Sequence, residues 1–119
     1  MRHAASGRAN DTIATDITNG AASLLLVSND IKRLMPDGLQ AQPALDILLQ
    51  LRVNEDKVAC VRSDDIASIG FSPEVIRRWI AVLVDAGCID RRGDLIALSA
   101  SGDTIVTRVV EAVNARMRG

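Results

Sequence analysis

SDDIASIGFSPEVIRRWIAVLVDA, residues 63–86, carries the strongest structural signal in this chain of 119 residues. Ser63 is a favourable N-cap for a short helix over residues 64–69, because its hydroxyl can accept a hydrogen bond from a free backbone N–H. Gly70 then allows a tight turn at little steric cost. Ser72 caps a longer helix, whose first residue is a proline with no N–H to leave unsatisfied. The pattern therefore predicts a short helix, a turn and a longer helix.

The longer helix, over residues 72–86, has an apolar stripe and a polar side. The stripe recurs at helical spacing and consists of Ile76, Trp79, Ile80, Leu83 and Val84. The polar side carries Glu74, Arg77, Arg78, Ala81 and Asp85. Two helices across a short turn, the second with basic residues in its first two turns, are typical of a helix-turn-helix motif. We therefore interpret residues 72–86 as a recognition helix for the major groove of DNA, with Trp79 in the core.

Two helices and a short strand are predicted before this motif. Residues 13–35 place apolar side chains close to a heptad seam. This helix is interpreted either as core packing or as a dimer helix, because its stripe is larger than a small domain needs. Residues 43–53 are apolar around most of the helix, as in a helix buried between others. Residues 57–62 indicate a strand or an extended lead, and residues 1–11 a disordered tail.

A β-hairpin and a last helix are predicted after the motif. Residues 88–99 favour a hairpin, or wing, with its tight turn at positions 92–93. Ser99 or Ser101 caps a final helix over about residues 101–117. Its β-branched residues are mediocre helix formers, and an exposed apolar stripe of this size is unusual on a monomer. The stripe is therefore expected to pack against another element. Pairing with the first helix, within or between subunits, would cover both stripes and create a dimerisation region.

Length and composition indicate one folded domain over residues 12–119, mainly α with a small β-hairpin. Apolar residues make up 48% of the chain. Aromatic residues make up only 2%, which argues against modules that stack bases on aromatic rings. The net charge of −1 and pI of about 5.7 argue against wholesale coating of DNA. A local basic patch is compatible with this net charge, because electrostatic attraction of DNA depends on where the charges lie on the surface.

The reactive side chains are too few for an enzyme or a metal site. Cys60 and Cys88 have no metal-like spacing and are interpreted as small buried hydrophobes in a reducing cytosol. His3, the single histidine, lies in the polar tail, so no zinc site or catalytic triad is expected. No cofactor, membrane span or secretion signal is predicted, and the expected location is the cytoplasm.

The predicted order of elements resembles the winged-helix domain of MarR-type bacterial transcriptional regulators, over about residues 39–113. The best-matching stretches are LVDAGCIDR, residues 83–91, and LSASG, residues 98–102. The resemblance implies a homodimer built from the terminal helices, which binds pseudo-palindromic double-stranded DNA. It also implies a small-molecule effector as a candidate partner. The chain departs from the family in a turn one residue shorter, at residues 68–71, in a wing cut to residues 91–94, and in a brief N-terminal helix region.

Eight residues form the predicted DNA-binding set. They are Ser63, Ser72, Pro73, Glu74, Arg77, Arg78, Arg91 and Arg92. Arginine binds guanine edges bidentately and also binds phosphate. Glu74 and Arg77 are expected on one helix face, with Arg78 to the side. Glu74 either accepts a hydrogen bond from cytosine or pairs with Arg78 at the i, i+4 spacing. The two serines either cap helices or hold a phosphate at the helix dipole.

A second interpretation is a winged helix used for protein association or assembly, without DNA. The balanced charge and the short wing favour it. A positive surface formed by Arg77, Arg78, Arg91 and Arg92 would separate the two interpretations, because only DNA binding requires it.

Overall fold

Four helices surround a three-stranded antiparallel sheet in the computed structural model, which describes residues 7–118. The helices are α1 Gly7–Leu34, α2 Gln42–Glu55, α3 Pro73–Asp85 and α4 Ala100–Arg118. The strands are β1 Val61–Arg62, β2 Ile89–Arg92 and β3 Leu95–Leu98, in the order β1-β3-β2. The predicted class, mainly α with a small hairpin, is confirmed. Helix α1 begins at Gly7, inside the predicted tail, while residues 1–6 of that tail lie outside the described part of the chain.

The core lies between α2, α3, α4 and the inner face of the sheet. Helix α2 is buried on most of its sides, as its composition predicts, with Pro at its first turn. The fully buried side chains come from every surrounding element and include Ile47, Leu48, Ile80, Leu83, Ile96 and Val106. Burying a side chain of this kind contributes about 1.5–3 kcal/mol to the free energy of unfolding. This cluster fixes the orientation of α3.

Helix α1 packs along α4 through its C-terminal part only. Asp30, on α1, is almost fully buried and accepts a hydrogen bond from Arg116 Nε at 2.8 Å. It also pairs with Arg33. The hydrogen bond from Arg116 holds the pKa of the Asp30 carboxyl below its ordinary value, and Arg33 adds to the effect. The predicted pairing of the first and last helices therefore occurs within the subunit.

The hairpin turn lies one residue later than predicted. Arg92 pairs with Leu95, so the two-residue turn is Gly93 and Asp94 rather than positions 92–93. Gly93 has a φ of 59°, which a residue with a side chain adopts only at a cost. The predicted strand over residues 57–62 shortens to β1. Cys60, just before β1, is exposed rather than buried, whereas Cys88 is buried as predicted.

The start of α4 is capped by Ser99 and not by Ser101. Ser99 Oγ accepts from the Gly102 N–H at 3.0 Å and donates to the Gly87 carbonyl. One side chain thus joins the end of α3, the hairpin and α4. Burial raises the pKa of the neighbouring Cys88 thiol, which keeps that cysteine protonated in the core.

The predicted helix over residues 64–69 is wrong. The chain forms a single 3₁₀ turn over Ser63–Asp65 and then runs without helical hydrogen bonds to a turn at Gly70. Ser63 is not an N-cap, since Arg62 holds that position and makes no side-chain cap bond. Helix α2 supplies partners to the backbone of Ala67 and to the hydroxyl of Ser68. A helix of six residues gains too little from its own hydrogen bonds to compete with them.

Two side chains of α2 make these contacts. Gln50 Nε2 donates to the Ala67 carbonyl, and Gln50 Oε1 accepts from the Ala67 N–H at 3.5 Å. Asp46 accepts a hydrogen bond from the Ser68 hydroxyl. We call Asp46 and Gln50 the α2 latch. The hydrogen bonds of the latch hold the segment before α3, where the sequence predicts a helix.

Candidate nucleic-acid interface

Helix α3 begins as the sequence predicts. Ser72 Oγ accepts a hydrogen bond from the Val75 N–H at 3.2 Å, and Pro73 occupies the first helical position. The helix runs for 13 residues and buries Ile76, Ile80 and Leu83 against the core. Its opposite side is exposed along the whole length. It therefore presents a continuous, rigidly anchored surface about 20 Å long.

The two arginines of α3 occupy different parts of this surface. At about 100° per residue, Arg78 lies near its middle with Glu74 and Asp85, whereas Arg77 lies at one edge. Arg77 borders a shallow depression with Ser63, Asp64 and Pro73. Arg78 borders a different depression. Glu74 and Arg77 lie about 60° apart around the helix, as expected for one face, but Arg78 lies nearer the middle of the exposed side than the expected lateral position.

The start of α3, the 3₁₀ turn and the hairpin tip lie together. The Ser63 N–H donates to the Asp94 carbonyl at 2.8 Å, which ties the 3₁₀ turn to the hairpin turn. Ser63 and Pro73 line the depression beside Arg77. Four predicted site residues, Ser63, Ser72, Pro73 and Arg77, are thus brought to one region.

The two hairpin arginines point to opposite faces of the sheet. Arg92 lies opposite Leu95 and Arg91 opposite Ile96, and side chains of neighbouring positions alternate between faces. Arg91 Nε donates to the Gly93 carbonyl at 3.1 Å, within its own turn. The two arginines therefore do not present a joint positive charge at the hairpin tip.

Arg62 is a candidate that sequence reasoning missed. It pairs with Leu95 from the other side, so Arg62 and Arg92 lie on the same sheet face with Leu95 between them. The alternation in residues 57–62 was the available signal. That alternation predicted that Arg62 lies in a strand. It could not predict that this strand pairs with β3, which places Arg62 on the same face as Arg92.

The exposed charges of this surface nearly cancel. Its arginines are Arg62, Arg77, Arg78, Arg91 and Arg92. Its carboxylates are Asp64, Asp65, Glu74, Asp85, Asp90 and Asp94. Five positive groups against six negative ones leave a formal charge of −1, so the surface has no uniform positive patch. Among residues 7–118, none of these arginines forms an ion pair, and the Glu74–Arg78 pair is not formed.

An apolar depression flanks Arg78. Val75, Arg78, Trp79 and Val82 line a notch of about 230 Å³. Trp79 packs against the core, as predicted, but is only half-buried, and Val82 is 42% exposed. We call this depression the Trp79 notch. Ile69 and Phe71, in the turn before α3, are also exposed, at 97% and 37%. Sequence reasoning did not identify this apolar surface.

A second apolar feature lies away from α3. Leu24, Val27, Ile31 and Met35 of the first helix region face Leu45 across a groove of about 480 Å³. The same face of α1 continues toward its N-terminus through exposed Ile13 and Ile17.

Across residues 7–118 no group of three or more histidine, cysteine or acidic side chains is placed to hold a metal ion. None of the described helices has the length and apolar content to cross a bilayer.

Comparison with known proteins identifies a shared architecture. No protein-family model matches the chain, and no curated protein matches it either. The crystal structure of RV1404 from Mycobacterium tuberculosis superposes with a TM-score of 0.67 at 20% sequence identity, covering 99% of this chain and 79% of that one. The two proteins share a fold. Because the identity is low, the similarity to RV1404 extends to the arrangement of helices and strands alone.

Proposed function

We propose that this chain is a dimeric winged-helix regulator of transcription that binds double-stranded DNA in the cytoplasm. One observation supports it most directly. Helix α3 is exposed between the 3₁₀ turn and the hairpin, and its Arg77 and Arg78 are free of ion pairs within the described residues. Free guanidinium groups are the usual partners of phosphates and guanine edges.

The order of elements supports a winged helix with a reduced motif. Helix α2, β1, the 3₁₀ turn, α3 and the β2–β3 hairpin follow one another as the proposal requires. The 3₁₀ turn takes the place of the first helix of the helix-turn-helix. Helix α3 then enters the major groove, which is about 12 Å wide and accepts an α-helix. Phosphate contacts come from Arg77, Arg62 and Arg92 at its margin.

Exposed apolar residues on the terminal helices support a homodimer. Ile13, Ile17 and Leu24 on α1 are 56%, 66% and 71% exposed. Val110 and Met117 on α4 add 41% and 79%. A second copy of the chain covers these side chains and places two α3 helices about a two-fold axis. Such a pair suits a pseudo-palindromic site.

The groove between α1 and Leu45 is the proposed site for a small apolar effector. It lies beside the exposed stripe of α1 and is lined mainly by aliphatic side chains. Apolar grooves with a few polar groups are typical of small-molecule sites. Lys32 and Gln40 at its edge are the polar groups available to orient a ligand.

A second candidate function is association with another protein through the same surface. The absence of a positive patch formed by Arg77, Arg78, Arg91 and Arg92 on the described surface favours it, since only DNA binding requires such a patch. The exposed Ile69 and Phe71 and the Trp79 notch favour it as well. Interfaces between proteins tolerate mixed charge and are enriched in exposed aromatic side chains at their centre.

Titration onto duplex DNA tests the proposal. The purified protein is titrated onto its own upstream region and onto a random duplex pool at several salt concentrations. Tight binding that weakens steeply with salt is expected, because each phosphate contact releases counterions. Arg77→Ala/Arg78→Ala should lose this binding, whereas Arg108→Ala/Arg118→Ala, which removes two exposed arginines of α4, should retain it. Absence of binding at low salt would overturn the proposal in favour of protein association.

A further inference from the structure

The Trp79 notch has a shape and chemistry that the general proposal of DNA binding does not use. Val75, Trp79 and Val82 line it with apolar side chains, and Arg78, which is exposed, is its charged lining residue. Val75 and Val82 are two helical turns apart, about 10 Å along α3. That length matches roughly three base-pair steps of about 3.4 Å each. The length of the notch is therefore comparable to the span of three to four consecutive base pairs.

We propose that the Trp79 notch reads thymine next to guanine in the major groove. This inference rests on the proposed DNA-binding function. The thymine C5-methyl is the one apolar group that a base pair presents in the major groove, and aliphatic side chains contact it. Guanine O6 and N7 are the acceptors that an arginine binds bidentately. A valine wall beside a free guanidinium combines the two requirements.

The opposite side of α3 has a different chemistry. Arg77 stands beside Ser63 and Asp64, and the depression there joins polar groups of the 3₁₀ turn to the start of the helix. A polar margin tied to the hairpin suits the sugar-phosphate backbone, which fixes position without sequence information. We therefore assign Arg77 to contacts with the sugar-phosphate backbone, which position the protein on DNA. Arg78 and Val82 are assigned to contacts with base edges, which select the sequence.

Glu74 strengthens the assignment of Arg78 to bases. Its carboxylate lies one turn before Arg78 near the middle of the exposed surface, without pairing with it. A negative charge there repels phosphate. Base edges, which carry partial charges only, are the more favourable neighbours for this part of α3.

Replacement of thymine by uracil tests the inference. A duplex selected from a random pool is synthesised with uracil in place of thymine, one position at a time, which removes only the methyl group. Affinity is measured by fluorescence anisotropy for the wild type, Val82→Ala and the control Val53→Ala, an exposed valine of α2. At one or two positions beside a guanine, uracil should weaken wild-type binding about fourfold, the effect of burying one methyl group. Val82→Ala should abolish the difference, and Val53→Ala should preserve it.

The outcomes separate the two proposals. If no duplex is bound at low salt, DNA binding and thymine reading both fail. If DNA is bound but thymine and uracil are equivalent everywhere, the notch has another occupant and only the inference is overturned. If the uracil effect persists in Val82→Ala, another side chain contacts the methyl group, and the assignment to the notch is wrong.

Discussion

Gly102 shows how closely single residues are fitted in this fold. It lies in the first turn of α4, where the helix crosses the backbone of Cys88. A Cβ atom at this position would lie 2.1 Å from the Cys88 carbonyl oxygen and 3.1 Å from the Leu98 side chain. Backbone cannot move aside as a flexible side chain can, so only glycine allows this approach.

Gly102→Ala is therefore expected to destabilise the protein. The added methyl group must displace α4 from the hairpin, and overpacking of this kind costs about 1–3 kcal/mol. Urea unfolding followed by circular dichroism measures the free-energy change. Gly20→Ala is the matched control, since nothing lies within 4 Å of its Cβ and it sits in an exposed helix. The control should gain up to about 1 kcal/mol. Equal stability of both variants would show that α4 packs differently.

At the scale of elements, α3 depends on how the segment before it is held. Residues 66–70 have no helix of their own, and the α2 latch satisfies the backbone of Ala67 and the hydroxyl of Ser68. The latch thereby sets the direction from which the chain enters α3. The arginines of α3 therefore lie on a helix whose preceding segment is held by side chains of α2.

Loss of the latch is expected to affect DNA binding more than stability. Gln50→Ala leaves both backbone groups of Ala67 to water, which they can reach because the contact is exposed. The cost in unfolding free energy should be about 1 kcal/mol, while the proposed DNA affinity should fall severalfold because the segment before α3 is held less firmly beside the interface. Gln42→Ala, an exposed glutamine at the start of α2, is the control and should change neither. A Gln50→Ala protein with full DNA affinity would show that the latch does not position α3.

Sequence patterns predicted the regular elements well for a physical reason. Helix α3, α4 and the hairpin have strong periodicity with caps or turn residues at both ends, and each matches within about two residues. The helix over residues 64–69 was wrong because its competitor, Gln50, lies 17 residues away in sequence and is not visible in a local pattern. Arg91 and Arg92 diverge because the turn lies one residue later than predicted, which places Arg92 in β2, where neighbouring side chains alternate between the two faces.

The whole molecule is elongated, with dimensions of 64 × 29 × 29 Å. The long dimension comes from α1, whose 28 residues extend about 42 Å. Its residues 13–26 contact little of their own chain, as their exposure shows. Ile13, Ile17 and Leu24 lie on one side of this projecting part. The amphipathic pattern predicted that stripe, while its position beyond the body of the subunit was not apparent from sequence.

Charge placed on the stripe is expected to separate the proposed dimer. Ile17→Glu/Leu24→Glu should give a folded monomer, because neither side chain contributes to the core. Sedimentation measures the mass, and circular dichroism the helix content. DNA affinity should fall steeply, since a single α3 reads only half a site. Val53→Glu, which charges an exposed valine of α2, should remain dimeric. A persistent dimer in the stripe variant would place the interface elsewhere.

The projecting half of α1 also bears on how long the protein survives in a cell. An isolated helix of this length is marginally stable in water, so an unpaired subunit opens there often. Proteases cleave at a rate that follows the population of the open form. In the proposed homodimer, a second copy covers this half of α1, so an unpaired subunit should be degraded faster than a paired one. Abundance should then rise more steeply than synthesis, with a threshold set by the dimer affinity.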